Sequence, residues 1–280
     1  MKAVPVFMYH HVNWRSGDLV TLNPLDFENH LQVLAEKRIQ TLFLGELLEF
    51  LAERKRFARP AVALTFDDGH LDNWVYAFPL LKKYGAKATI FVVTSWIGSG
   101  ERRARWDGID RKTAGLPEIL SHREAKRRVL EGDFSGALNW EEAKEMEASG
   151  LVDIQSHTHS HGDYFSGPEA GEGLEPLRTE ELFRDLEQSK NLIEARLGKT
   201  CRFLAWPWGR HNPEAVAMAR KAGFAGIATT EKGVNFPGAD PLAIKRIVAK
   251  SGDRGWFSTR HWIYSHPRIG KWYSRVVGRI

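Results

Sequence analysis

Short apolar runs rich in β-branched and aromatic residues alternate with helix-patterned segments along almost the whole chain, and this limits the possible fold more than any other feature. Val4–Tyr9, Gln40–Leu44, Ala61–Phe66, Ala88–Val93, Val152–Gln155, Cys201–Ala205, Phe224–Ala228 and Leu242–Val248 read as strands. Between them, Phe27, Leu31 and Leu34 fall at helical spacing behind an Asn23 cap and Pro24. A helix is predicted from Asp72 to Tyr84 with Gly85 closing it, and another from Asn139, with Glu142 three residues on, to Ser149. Leu182, Phe183, Leu186, Ile193 and Leu197 mark a long amphipathic helix, and Pro213–Ala222 a further one. Such alternation implies a parallel sheet, either closed into a barrel or doubly wound, and 280 residues suffice for it as one domain. Residues 97–138 lack a strong period and read as a surface insertion carrying a short helix at His122–Leu130.

In parallel folds of this kind, catalytic groups gather at the carboxyl ends of the strands. His10, Asp67, Asp68, His157, His161 and Trp208 all follow a predicted strand, so they can converge on one mouth. His157-x-x-x-His161 alone could be an exposed polar loop, and Asp67-Asp68-Gly69 alone could be a turn with a helix cap. Together they supply two imidazoles and a carboxylate, a common three-ligand set for a divalent cation with an open position. Successive strand-end residues point in different directions, so one aspartate can bind metal while its neighbour faces a water. Gly69 allows a sharp turn there.

Composition narrows the class. A single cysteine, Cys201, excludes an intrachain disulfide framework and fits a reducing compartment. The chain has no run of about 18 apolar residues, and its first nine are too short for a signal-peptide core. The expected location is therefore cytoplasmic. The net charge of +5 is concentrated between Glu101 and Arg128 and in the C-terminal stretch, without a nucleic-acid-binding motif, so no nucleic-acid partner is expected. From Trp256 onward, aromatic and basic residues interleave without Asp or Glu. That segment can be a helix packed on the barrel, or a tail at an anionic membrane surface, peripheral to the inner membrane. Ten tryptophans are many; those near the site can line a sugar pocket or simply fill the core.

Phe66-Asp67-Asp68-Gly69 and His157-Thr158-x-x-His161 resemble the two leading motifs of the polysaccharide deacetylase family, the NodB homology domain of carbohydrate esterase family 4. Tyr9-His10-His11-Val12 and Ala205-Trp206-Pro207-Trp208-Gly209 resemble its permuted branch, which contains the poly-N-acetylglucosamine deacetylases. The likeness spans Val4 to Val248. It implies a distorted (β/α) barrel of about seven parallel strands over residues 1–250, followed by the basic aromatic tail 251–280. It also implies Asp68, His157 and His161 as ligands of a divalent ion, Zn2+ above Co2+, Ni2+ or Fe2+, with Asp67 as general base and His10 as general acid. The Trp208 N–H stands where the family has its oxyanion donor, and Tyr9, Trp206 and Trp208 are the candidate sugar contacts.

Many family members carry an arginine where this chain has Ala205. We expect Arg246 to approach Asp67 from another strand in its place and lower its pKa. The implied reaction is removal of the acetyl group from an N-acetylhexosamine of a glycan, with a lipid-linked or lipopolysaccharide sugar suggested by the tail. Two alternatives share the framework: a metal-dependent O-acetyl esterase and a non-catalytic carbohydrate-binding barrel.

Overall fold

The computed structural model describes residues 3–106, 115–165, 176–252 and 254–277. Buried Val6–Tyr9 (β1) opens the sheet, and a small parallel pair, His11–Val12 (β2) with Thr21–Leu22 (β3), flanks its end. Pro24–Glu36 (α1) follows, capped as expected by the Asn23 side chain on the Asp26 N–H. Gln40–Leu42 (β4) and Leu44–Leu51 (α2) lead to Ala61–Phe66 (β5), buried at all six positions, as a parallel strand covered on both faces requires.

The segment expected to be helical from Asp72 begins instead as a π-helical turn, Asn73–Ala77, and becomes α-helical at Phe78–Tyr84 (α3), with Gly85 closing it at φ +60°. Pro79 explains the change. It has no N–H to offer the Val75 carbonyl, which accepts instead from Trp106 N–H at 3.0 Å.

Ala88–Val92 (β6) comes next, then His122–Leu130 (α4) and Trp140–Ala148 (α5), the latter opened by the expected Asn139–Glu142 capping box. Val152–Ser156 (β7), Pro176–Leu197 (α6), Phe203–Ala205 (β8), Pro213–Lys221 (α7) and Gly226–Ala228 (β9) continue the alternation. The Leu242–Val248 run divides into a 3-10 turn, Pro241–Ala243, and a short strand, Ile247–Val248 (β10). Arg254–Tyr264 (α8) and Pro267–Val277 (α9) end the described chain.

All ladders among these strands are parallel, in the order β10-β1-β5-β6-β7-β8-β9. Ala63 of β5 pairs both Val6 and Leu42, so β4 lies on the edge of β5 opposite β1 and gives way to β6 farther along. A parallel bridge from Ala228 to Ile244, with Thr229 N–H on the Ile244 carbonyl at 2.9 Å, curls β9 toward β10 and produces the expected distorted barrel. Alternation along the strands then sorts the side chains. Val62, Leu64, Phe66, Ile90 and Leu204 pack toward the helices, while Ala61, Ala63, Phe91, Phe203 and Ala205 form a separate inner cluster.

The 97–138 insertion carries the expected short helix, α4, and is stitched to the barrel: Arg103 pairs with buried Glu142 at 2.7 Å and donates to the carbonyls of Ser135 and Ala137, and Trp106, Leu120 and Leu138 are buried. Residues 107–114 of it lie outside the described residues, as does the 166–175 loop. Of the two readings of the stretch after residue 250, α8 follows the helix packed on the barrel. Phe257 and Tyr264 of α8 are fully buried, with the Phe257 ring 4.5 Å from that of Phe7. Apolar residues at helical spacing pull α8 onto the barrel.

Candidate active site

The Asp67–Asp68 pair is placed by strand parity. Thr65 is buried and its hydroxyl donates to the Phe7 carbonyl at 2.9 Å; Asp67, two residues on, stays on that inner face. Asp68 then turns through φ +72° and Gly69 through φ +74°. A Cβ on Gly69 would sit 2.9 Å from Val92 Cγ1 and 3.3 Å from Val92 Cα, so only glycine lets the turn lie against β6.

His157 continues β7 in the same way, and its Nδ1–H donates to the Ala205 carbonyl at 2.8 Å. That bond leaves Nε2 as the free donor atom. Nε2 lies 3.3 Å from Asp68 Oδ1, and His161 Nε2 lies 3.5 Å from the same oxygen. The loop between the two histidines is held by Asp185 of α6, whose carboxylate accepts the His159 and Ser160 N–H groups at 2.9 Å each. Thr158 Oγ1 accepts the His161 N–H at 3.0 Å. Of the described non-glycine residues with positive φ, Asp68, Thr158, His161 and Trp208 all stand here. For a β-branched residue such as Thr158 this conformation is costly, on the order of 1–3 kcal/mol, and such strain collects at functional sites.

Arg246 reaches the site through the barrel interior. Its guanidinium makes a two-pronged pair with Asp67, Nη1 to Oδ1 at 2.6 Å and Nη2 to Oδ2 at 2.8 Å, while Nε–H donates to the Thr229 carbonyl at 2.8 Å. Burial pushes the Asp67 carboxyl up, but Arg246, His157 and His10 outweigh it and hold the group below its ordinary range. Asp68 is likewise pushed up by burial and brought well below the usual carboxylate range by His157, His161 and His70. The two neighbouring acids are thus both ionised but differently engaged, one by a guanidinium and one by imidazoles.

By the same alternation, His10 follows Val6 and Met8 onto the inner face. Burial lowers its pKa, opposed by the charges of Asp68 and Asp67. Trp208, at φ +53°, is half exposed, with its ring 4.4 Å from that of His161. The structure therefore brings Asp67, Asp68, His10, His157, His161, Arg246 and Trp208 together.

Tyr9 and Trp206 are corrections. Tyr9 lies in the helix-facing core, its ring stacked on Phe66 at 5.0 Å and its hydroxyl 3.1 Å from His30 Nδ1. Trp206 is 1% exposed in the same outer core. Each sits one position out of register with the inward-facing residues, so packing rather than sugar contact is its role.

Three further histidines adjoin the site, and sequence reasoning did not assign them. His70 Nε2 lies 3.0 Å from Asp68 Oδ2, His11 Nδ1 lies 2.8 Å from Asp72 Oδ2, and His122 stands at the start of α4. The signal was present in the unbroken Asp67-Asp68-Gly69-His70 run and in the doubled His10-His11. Asp185, 24 residues past His161, carried none.

A parallel barrel with an acid–histidine cluster at the carboxyl ends of its strands has the layout of an α/β-barrel enzyme site. The chain belongs to the polysaccharide deacetylase family, whose model, "Polysaccharide deacetylase", matches residues 54–227. It is accordingly an amide hydrolase acting on carbohydrate. The match contains the Asp67–Gly69 and His157–His161 segments and Trp208, while His10 and Arg246 fall outside it. The chain is 29% identical to the putative polysaccharide deacetylase YxkH of Bacillus subtilis over 252 residues, covering 90% of this chain and 73% of that protein. It is 24% identical to the poly-beta-1,6-N-acetyl-D-glucosamine N-deacetylase of Staphylococcus aureus, covering 86% and 72%. Among solved structures, the Streptococcus pyogenes deacetylase PplD shares the fold at TM-score 0.72 and 22% identity, covering 95% of this chain and 99% of that one. IcaB from Ammonifex degensii does so at 0.71 and 24%, covering 95% and 98%.

Proposed function

We propose that this protein removes the acetyl group from N-acetylhexosamine residues of a glycan, with a divalent cation held by Asp68, His157 and His161. The observation that carries the reading is the single Asp68 oxygen facing two imidazole Nε2 atoms at 3.3 and 3.5 Å, beside an aspartate engaged by an arginine instead. The donor set fits a borderline-soft divalent ion: nitrogen from two imidazoles, one oriented by a carbonyl, and oxygen from a buried carboxylate. When bound, such an ion lowers the pKa of a coordinated water from ~15.7 toward ~7 and polarises the acetyl carbonyl.

The chain's own residues supply the remaining steps. Asp67, kept ionised by Arg246, accepts a proton as water adds to the amide carbon. The Trp208 N–H donates to the oxyanion, a contribution of about 2.7–4 kcal/mol for one such donor. His10 protonates the sugar nitrogen as the C–N bond breaks, giving acetate and a free amine. The half-exposed Trp208 indole offers a flat apolar wall to the sugar ring.

Acetate release from N-acetylglucosamine oligomers is expected to stop after chelation and to return with Zn2+ or Co2+. Release from acetylated xylan is expected to be slow by comparison. Faster release from the xylan would assign an ester substrate instead, and turnover indifferent to chelation would remove the metal.

The glycan substrate, we propose further, is met at a membrane surface, as a lipid-linked or lipopolysaccharide sugar at the cytoplasmic face. Ile269, Trp272 and Val276 of α9 are exposed at helical spacing, with exposed Trp262 on α8 and the cations Arg268, Lys271 and Arg275 alongside. The full chain should float with anionic liposomes, and an Ile269→Ser/Trp272→Ser variant should not. Equal flotation would defeat the membrane reading and leave the chemistry untouched.

A further inference from the structure

We propose that His11, His70 and His122 form a second site for a divalent transition-metal ion, linked to the first through the Asp68 carboxylate. The donor atoms of these three imidazoles lie within 4.8 Å of one another. They come from three separate parts of the chain: His11 from β2, His70 from the turn after β5, and His122 from the first position of α4. Convergence from such distant positions is unlike a local run of polar residues.

The surroundings of the cluster resemble those of a ligand set. His11 Nδ1 lies 2.8 Å from Asp72 Oδ2, and the same oxygen accepts from Asn13 Nδ2 at 2.5 Å. A carboxylate on one ring nitrogen fixes the tautomer and leaves the other as a donor, the usual outer arrangement of a metal-binding histidine. The other nitrogen, His11 Nε2, faces His122 Nδ1 at 3.2 Å, and the His11 and His70 rings stack with centroids 3.7 Å apart. Three imidazoles suit zinc, copper, iron or nickel better than calcium or magnesium.

Asp68 makes the connection. Its Oδ1 faces His157 and His161, while Oδ2 faces His70 at 3.0 Å. A carboxylate that divides its two oxygens between separate imidazole sets is arranged to bridge a pair of cations, as in two-metal hydrolase sites. This link rests on the assignment of Asp68 to the first ion, whereas the three-histidine cluster stands without it. The alternative for the same atoms is a hydrogen-bonded relay from Asp72 through His11 to His122.

Metal content separates these outcomes. The metal-stripped full chain is equilibrated with Zn2+, freed of excess by gel filtration, and assayed for zinc per chain by mass spectrometry. The wild type should hold two ions, and His122→Ala and His161→Ala should each hold one. His122 is half-buried at a helix start, so its removal leaves the core intact. A wild type holding one ion, or a His122→Ala variant holding as many as the wild type, would overturn the second site and favour the relay. A His161→Ala variant with undiminished zinc would instead strike at the first site, so the two failures are told apart.

Discussion

Asp67→Asn is expected to lower acetate release by about two to four orders of magnitude, the range a positioned general base contributes, with metal content unchanged. The amide keeps the size of the carboxylate and can still accept from Arg246, but it cannot take a proton from water. Asp67 is held by Arg246, while Asp68 faces the imidazoles, so loss of the Asp67 carboxylate should leave the Asp68, His157 and His161 donors in place. The fall should appear in kcat rather than KM, because the carboxylate acts on the water rather than on the sugar. A variant within threefold of the wild type, or one that loses its metal together with its activity, would contradict the assignment.

The second large effect is expected at Arg246. This side chain is fully buried, and among the described residues its ion-pair partner is Asp67. Arg246→Met therefore strands a buried carboxylate, a loss typically of about 3–5 kcal/mol. In the wild type the folded-state pKa of Asp67 is lowered, so this pair's contribution is present above the ordinary carboxylate pKa and fades as pH falls through the lowered value. Without the guanidinium, burial is opposed by His157 and His10 but no longer by Arg246, so the folded-state pKa moves up and this contribution shrinks. Turnover should fall, and the acidic limb of its pH profile should move to higher pH, because the base must be ionised to work. Denaturation midpoints and rate profiles from pH 4 to 8 check both. An unshifted acidic limb would mean that Arg246 only supports the barrel.

Much of this site was legible because β5 and β7 end in chemically loaded residues, and parallel barrels present strand ends to one mouth. The approach of Arg246 to Asp67, 179 residues apart, was readable only as compensation for Ala205, since nothing local in Leu242–Val248 marks it. Tyr9 and Trp206 were misjudged although the information was there: Val6, Met8 and His10 share one face of β1, which sends Tyr9 to the other, and Ala205 does the same for Trp206. The π-helical turn after Asp72 could not be read from periodicity, because it depends on a carbonyl freed by Pro79 finding Trp106 in a segment without periodic pattern. What attaches the insertion was unreadable for a related reason. What holds it is Arg103 on Glu142 and main-chain carbonyls, and such polar stitching leaves no hydrophobic period. The C-terminal segment was ambiguous because both readings hold in part: α8 buries Phe257 and Tyr264, while α9 turns Trp272 outward.

The most direct measurement is an anomalous-scattering map at the cobalt edge from crystals of the Co2+-loaded protein. The account predicts a peak within coordination distance of Asp68 Oδ1, His157 Nε2 and His161 Nε2, with Asp67 beside it but not bound to it. A map without density among those three atoms, or with Asp67 as a ligand in place of Asp68, would contradict it.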